Sequence, residues 1–137
     1  MMKKHVDVVS SDGRIINGDF DLWEESPENP DQVRIDLHIA NEVITAVADT
    51  FFDALADIRR RLEDRGLRPK CFGACRDIYP SPMIRSMGSG EQAYRLKLGR
   101  QAKMEDLVPI FDSDPEVIPV SVEEQGEFYN KWLKSLK

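Results

Sequence analysis

Residues 33–39 have the sequence Val-Arg-Ile-Asp-Leu-His-Ile, and this stretch decides the fold. Its four apolar residues alternate with three polar ones. That alternation places the two sets on opposite faces of an extended strand. A strand with one apolar and one polar face is typical of an antiparallel sheet that buries only one of its sides. Residues 33–39 therefore predict a half-buried strand in such a sheet.

The stretch that follows fits two structures. Residues 43–48 are rich in β-branched side chains, which favours a second strand. A 3.6-residue apolar period also runs through them and fits a helix that starts at Asn41. We favour the strand, with the helix starting near Asp49 or Thr50, because Thr50 and Asp53 have the spacing of a capping box.

The C-terminal half of this helix carries its stop signals and a cluster of positive charge. Gly66 can adopt the left-handed conformation that closes many helices, and Pro69 cannot continue one. Arg59, Arg60 and Arg61 lie towards the C-terminal end, where positive charge interacts favourably with the helix dipole. We expect these three side chains to form a solvated face rather than a nucleic-acid site.

A strand, a turn and a second strand are predicted before residue 33. The apolar residues 6–9 precede the turn residues 10–13, which end in Asp-Gly, a pair that favours a tight turn. Residues 14–23 then alternate between apolar and polar side chains, as a half-buried strand does. The polar residues 24–31 contain two prolines and predict a loop.

The second half of the chain predicts shorter elements. Residues 70–80 and 94–98 have the pattern of strands. Residues 107–112 form a short strand, at the edge of a sheet because Pro109 has no amide hydrogen to donate. A second capping box at Ser121 begins an amphipathic C-terminal helix.

Together these elements predict an α+β fold. Its sheet is mainly antiparallel, with one central and one C-terminal helix packed on one face. We expect a single domain over 1–137, because a chain of 137 residues can bury a core of its own without a disulfide or a metal ion.

Composition excludes several classes of protein. Apolar side chains make up 41% of the sequence, which is above the range of disordered chains. No apolar run approaches the roughly 20 residues of a membrane helix, and the N terminus lacks the apolar stretch of a secretion signal. Two cysteines do not form an extracellular disulfide pattern. We expect an acidic, cytoplasmic protein of bacterial type with no membrane contact.

Charge is unevenly distributed along the chain, although the net value is −6. Residues 1–67 hold 8 basic and 15 acidic side chains, a net of −7. Residues 68–103 hold 8 basic and 2 acidic ones, or +6. Within 17–57, eleven acidic residues face a single basic one, Arg34. Such asymmetry can steer an oppositely charged partner over about 8–10 Å at physiological salt.

Strand periodicity places part of this acidic charge on one surface. If the apolar residues of the second and third strands face the core, then Asp19, Asp21, Trp23 and Asp36 face away from it, with His38 beside them. An exposed tryptophan within an acidic field has the composition of a protein-binding hot spot. The alternative is that Trp23 ends its strand and folds over the edge of the core. These four residues are the predicted binding site for a basic protein partner.

The basic segment supports an alternative. Arg76, Arg95 and Lys97 could converge if their strands are neighbours, with Arg85 above them. The backbone amides of Gly88 and Gly90 would lie close by. Guanidinium groups beside exposed amides suit a small anion such as a phosphate or a nucleotide. This second hypothesis describes an anion-binding protein or enzyme.

No familiar catalytic or cofactor motif is present. Cys71 and Cys75 lie in a stretch that predicts a strand, too far apart for a disulfide and without the further ligands that zinc needs. The string from Gly88 to Ala93 matches G-x-G-x-x-A but precedes a strand rather than opening a helix. A histidine-dependent hydrolase would depend on His38, which alternation places as a bystander. We expect no cofactor, no metal site and no catalytic residue.

Five strings between Gln32 and the C terminus carry a resemblance. They are Asp53–Glu63, Gly73–Ser81, Met87–Leu96, Asp106–Asp112 and residues 123–133. Through them the chain resembles a family of small uncharacterised bacterial proteins, loosely associated with immunity-type proteins of toxin loci. The resemblance implies a role in protein binding and carries over no catalytic residue. It also implies a role beyond packing for the region from Arg76 to Tyr94, where the strings are densest.

The sequence thus favours a non-enzymatic binding protein with an acidic sheet face for a basic partner. The anion-binding alternative rests on the basic segment. Nucleic acid is an unlikely partner, since a net charge of −6 repels phosphate backbones.

Overall fold

The computed structural model of this chain describes residues 1–80 and 91–137. Within these ranges the chain forms eight strands, two α-helices and two 3₁₀ turns. The strands are β1 (Met2–Ser10), β2 (Ile15–Trp23), β3 (Val33–Ile39), β4 (Glu42–Ala48), β5 (Leu67–Lys70), β6 (Ile78–Tyr79), β7 (Gln92–Arg95) and β8 (Leu107–Pro109). The helices are α1 (Phe51–Glu63) and α2 (Val122–Ser135), and the 3₁₀ turns are Phe72–Ala74 and Met104–Asp106.

Two antiparallel sheets organise the fold. Strands β1 to β4 form a meander and β5 returns beside β1, so the order of the larger sheet is β4-β3-β2-β1-β5. The smaller sheet has the order β6-β7-β8. Helix α1 packs on β3, β4 and β5, while α2 packs against α1 and β6. The predicted α+β class with a mainly antiparallel sheet is confirmed.

The core lies between the larger sheet and α1. The helix buries Phe51, Leu55, Ile58 and Leu62 against the apolar face of the strands. That face is built from every second residue of β1 to β4, as the alternation predicts. Each fully buried side chain of this kind contributes roughly 1.5–3 kcal/mol of transfer free energy. No helix in the described ranges is long and apolar enough to cross a membrane.

The ambiguous stretch before α1 is a strand, as favoured. Strand β4 pairs with β3 from Glu42 to Ala48, and α1 begins only after Thr50. The Thr50 hydroxyl accepts a hydrogen bond from the Asp53 amide at 3.1 Å, which is the predicted N-cap. At the other end Gly66 has a φ of +70°, the left-handed conformation expected there.

The arginine triplet of α1 corrects one prediction. Arg60 and Arg61 are exposed, but Arg59 is buried and only 1% accessible. Helical periodicity explains the difference, because Arg59 lies four residues after Leu55 and beside Ile58 on the buried stripe. The prediction of a fully solvated arginine face was therefore wrong for Arg59.

The strand predicted over 70–80 is also wrong in part. The chain leaves β5 at Lys70, turns through Phe72–Ala74 and pairs again only at Ile78. Gly73 sits in this turn, where a Cβ atom would lie 2.6 Å from Leu55 Cδ2, so packing requires glycine. Cys71 and Cys75 are buried as predicted, but the turn brings Cys75 Sγ within 3.7 Å of Cys71 O, so the extended spacing expected between them was wrong. Burial raises the pKa of Cys71 to about 12.

The C-terminal elements follow the sequence in part, because β7 ends at Arg95 rather than residue 98 and β8 ends at Pro109 rather than residue 112. Strand β8 occupies an edge of the smaller sheet, as Pro109 predicts. The Ser121 hydroxyl accepts a hydrogen bond from the Glu124 amide at 3.0 Å and caps α2. Helix α2 buries Phe128 and Trp132 in a second apolar cluster with Tyr94 and Leu96. The smaller sheet and α2 thus share a core of their own.

Candidate functional site

The candidate site lies on the face of the larger sheet opposite α1, here called the outward face. Strand pairing sets Asp21 opposite Asp36 and Trp23 opposite Arg34. The next pair along sets Asp19 opposite His38. The structure therefore brings Asp19, Asp21, Trp23 and Asp36 onto one surface of two neighbouring strands. Neither described helix packs on this surface.

Asp21 is held by a lysine and a histidine from the strands on either side. Lys3 Nζ of β1 lies 3.0 Å from Asp21 Oδ1, and His38 Nε2 of β3 lies 2.8 Å from Asp21 Oδ2. Partial burial opposes ionisation of this carboxyl group, but the contacts with Lys3 and His38 outweigh it. The pKa of Asp21 consequently lies below its ordinary value.

Asp36 is held by an arginine and a threonine. Arg34 donates from Nε to Asp36 Oδ1 at 3.0 Å and from Nη2 to Asp36 Oδ2 at 3.2 Å. Thr45 of β4 donates its hydroxyl to the same Oδ1 at 2.7 Å. The paired Asp36 carboxylate raises the pKa of Arg34. This bidentate pair fixes the orientation of the guanidinium plane.

Arg34 also orders the tryptophan of the predicted site. Its guanidinium carbon lies 5.1 Å from the centre of the Trp23 ring, within the range of a cation–π contact. Its Nη1 donates to Glu28 Oε1 at 2.7 Å, in the loop after β2. Trp23 is half-buried rather than exposed as predicted, with Arg34 covering one side. The indole is therefore presented in a fixed position at the end of the outward face.

Exposure separates the three aspartates. The side chain of Asp19 is 48% accessible, against 11% for Asp21 and 8% for Asp36. Asp21 and Asp36 thus act mainly on their own neighbours, and Asp19 is the carboxylate that a partner can reach. Sequence alternation predicted the shared face but not the cross-strand contacts of Lys3 and His38 with Asp21.

The basic segment is only partly brought together. Arg76 and Arg95 line one open cavity of about 420 Å³, each against an aromatic ring. Lys97 does not line it and lies in a turn paired with Arg100. Arg85, Gly88 and Gly90 lie outside the described residues. The prediction of convergence therefore holds for two of the basic side chains.

Carboxylates line the same cavity. They belong to Asp77, Asp114, Glu116 and Glu124. Arg95 Nη1 lies 3.7 Å from Asp77 Oδ2, so part of its charge is already balanced within the chain. Two guanidinium groups among four carboxylates make this cavity a weak match for a phosphate. The outward face is therefore the better-supported candidate site.

A buried polar cluster, here called the Arg59 hub, escaped the sequence analysis. Arg59 donates from Nη1 to Gly73 O at 3.1 Å and to Gln125 Oε1 at 2.5 Å, and from Nη2 to Val120 O at 3.0 Å. Gln125 donates from Nε2 to the carbonyls of Gly73, Cys75 and Ile78 at 2.7–3.0 Å. The sequence did contain a signal for this cluster, because Arg59 and Gln125 each lie among the apolar residues on the buried side of a helix.

Comparisons with known proteins assign no family. No family model matches this sequence, and no curated protein is significantly similar to it. Within residues 1–80 and 91–137, no group of three or more His, Cys, Asp or Glu side chains has the geometry to hold a metal ion. The functional argument therefore rests on the outward face itself.

Proposed function

We propose that this chain is a non-enzymatic binding protein that presents its outward face to a basic protein partner, in the manner of an immunity protein. One observation carries the proposal. An accessible carboxylate, Asp19, and an oriented indole, Trp23, lie on a sheet face that neither described helix covers. An aromatic anchor beside charged groups is the usual composition of a binding hot spot.

Preorganisation of the outward face supports affinity. Side chains that must be immobilised on binding cost about 0.5–1.5 kcal/mol each. On this face Arg34 is already held by Asp36, Glu28 and the Trp23 ring. Asp21 is likewise held between Lys3 and His38. A partner therefore binds a surface whose side chains are already held in place in the folded protein, so binding loses less side-chain entropy.

Long-range charge supports the choice of a basic partner. Residues 17–57 hold eleven acidic side chains against Arg34, and the acid remains in excess although Lys3, Arg60 and Arg65 pair with three of them. Several of the acids are exposed next to the outward face, among them Glu24, Glu25 and Glu28. A field of this sign raises the encounter rate with a positively charged protein and is screened by salt.

A charge-reversal pair tests the proposal. Wild-type protein, Asp19→Lys and Glu105→Lys are immobilised and exposed to a lysate of the organism that encodes the chain. Glu105 is exposed in the turn before β8, so its variant makes the same change in net charge away from the outward face. We expect a basic protein to bind wild type and Glu105→Lys and to be lost from Asp19→Lys.

The bound protein then serves as the probe in stopped-flow measurements. Its association rate should fall at least tenfold between about 20 and 300 mM salt, since steered association depends steeply on ionic strength. Trp23→Ala should accelerate dissociation about 30-fold, the effect of a typical hot-spot residue. Equal capture by the two lysine variants, or an association rate independent of salt, would contradict the proposal.

A further inference from the structure

The outer edge of β4 presents backbone groups that the described chain does not pair. Strand β4 is the last strand of the larger sheet. It joins β3 through a two-residue turn, Ala40 and Asn41, and Ile39 pairs with Glu42. In such a hairpin the pair beside the turn exchanges hydrogen bonds and alternate pairs follow. The N–H and C=O groups of Val43, Thr45 and Val47 consequently point away from β3.

One contact confirms this direction. Arg61 Nη1 of α1 donates to Thr45 O at 2.5 Å, which it reaches only because that carbonyl faces the open edge. The N–H groups of Val43, Thr45 and Val47 remain, together with the C=O groups of Val43 and Val47. None of these five accepts or donates a backbone hydrogen bond outside the sheet among the described residues. The edge is thus a template for one more strand.

The opposite edge of the sheet is covered. Strand β5 has four residues, including Pro69, which lacks an amide hydrogen. The chain returns beside it, where Arg68 donates to Pro119 O and Lys70 to Pro115 O. Strand β4 has seven residues and neither proline nor lysine, the usual protections of an edge. It also exposes two β-branched side chains, Val43 at 53% and Val47 at 37%.

We propose that β4 pairs with β4 of a second copy of this chain, antiparallel and centred on Thr45. In that register Thr45 lies opposite Thr45 of the second copy, and Val43 lies opposite its Val47. All backbone N–H and C=O groups that point away from β3 are then paired in both copies. The two five-stranded sheets join into one sheet of ten strands. Each Val43–Val47 pair buries exposed β-branched surface across the junction.

Self-complementarity selects a second copy rather than an unrelated strand. Two valines stand at equal spacing on either side of Thr45, so a two-fold axis through this residue matches valine with valine at both ends. Arg61 must release Thr45 O before that carbonyl can pair with the second copy, and its exposed side chain can turn to solvent. Arg61→Ala should therefore strengthen the dimer.

Cysteine pairs test the register. Residues opposite each other in a hydrogen-bonded antiparallel pair have Cα atoms about 5.5 Å apart, within reach of a disulfide. Mixing Val43→Cys with Val47→Cys under mild oxidation should give a disulfide-linked dimer of the two variants. Either variant alone should form no disulfide-linked dimer, because its own copies of the residue lie about 13 Å apart. Cys71 and Cys75 are buried and should not react.

Sedimentation provides the second measurement. In sedimentation experiments at concentrations up to millimolar, wild type should shift from monomer to dimer as the protein concentration rises. Val43→Lys combined with Val47→Lys should be monomeric with an unchanged melting temperature, since both side chains are exposed. Ile15→Lys, on β2 and 63% exposed, is the matched control and should still dimerise. A wild type that stays monomeric, or equal crosslinking in mixed and single variants, would overturn the proposal.

Discussion

Arg59 and Arg34 each organise a polar network, and the two networks differ in both partners and surroundings. Arg34 lies at the sheet surface and pairs with the carboxylates of Asp36 and Glu28. Arg59 is buried and bonds to backbone carbonyls and the Gln125 amide. A guanidinium in the core needs every acceptor it can reach, whereas one at the surface can exchange protein partners for water.

The difference shows which network holds the fold together. The Arg59 hub links α1, the turn after β5 and α2, so its loss separates three segments of the chain. The Arg34 network links neighbouring strands that backbone pairing already joins. Burial lowers the pKa of Arg59, but an arginine side chain stays protonated in proteins. We therefore expect large stability effects from the hub and small ones from the outward face.

The largest effect should come from Arg59→Met. The methionine fills most of the volume but leaves the Val120 carbonyl and the Gln125 Oε1 atom without their donor, and the Gly73 carbonyl keeps only its bond from Gln125 Nε2. Buried groups left unpaired in this way cost about 1–3 kcal/mol each, so we expect a loss of about 3–5 kcal/mol in the free energy of unfolding. Urea denaturation measures it. Arg60→Met, one residue along and exposed, should stay within about 0.5 kcal/mol of wild type.

Gln125→Leu should have the next largest effect, about 2–3 kcal/mol by the same denaturation measurement. The leucine keeps the volume but removes the amide that donates to three carbonyls. A double-mutant cycle with Arg59→Met should give a coupling energy of at least about 0.5 kcal/mol, because the two side chains share a hydrogen bond. Strict additivity would show that the hub is not one unit.

On the outward face, Asp36→Asn should cost about 1–2 kcal/mol. The amide retains one oxygen for Thr45 or Arg34 but loses the charge that holds the guanidinium in a bidentate pair. Asp19→Asn is the control, because its exposed side chain should change stability by less than about 0.5 kcal/mol. A loss as large as that of Arg59→Met would remove the contrast between the two networks.

Asp21 should make stability depend on pH. Its pKa is lowered in the folded protein, so its contribution is present above the ordinary value of 3.8 and is lost as the pH falls below it. The difference in stability between wild type and Asp21→Asn should therefore shrink between pH 6 and pH 3. The pKa values of Asp12 and Glu28 are lowered too. Wild type and Asp21→Asn share these two residues, so their contributions to the stability difference cancel.

The smallest effect should come from anions at the cavity of Arg76 and Arg95. Because carboxylates line the same space, 10 mM phosphate should leave the melting temperature of wild type unchanged. A rise that Arg76→Ala abolishes would favour the anion-binding alternative over the outward face. Lys97→Ala is the control, since Lys97 does not line this cavity.

Much of the fold is predictable from local patterns in the sequence. Alternation locates β2 and β3, and capping boxes at Thr50 and Ser121 locate the starts of both helices. These features depend on neighbours within a few residues. The strand predicted over 70–80 failed because the turn at Gly73 is imposed by contact with Leu55 and Ile110, which are distant in sequence.

The site shows the same limit. Alternation placed Asp19, Asp21, Trp23 and Asp36 on one face, since side-chain direction in a strand is local. It could not supply the cross-strand partners Lys3 and His38 of Asp21, because these depend on register. Likewise, charge alone suggested that Arg59 is solvated, whereas its acceptors come from segments that only the tertiary fold brings together.

The hydrogen bond between Arg59 and Gln125 joins residues that are 66 positions apart in the chain. It cannot form until the ribosome has synthesised α2. While a ribosome is still making α2, the first sheet and α1 can assemble, but the buried guanidinium has no amide oxygen to accept from it. Closing so long a loop is entropically slow compared with forming the β1–β4 meander. The Arg59 hub can therefore be complete only once α2 has been made and has docked.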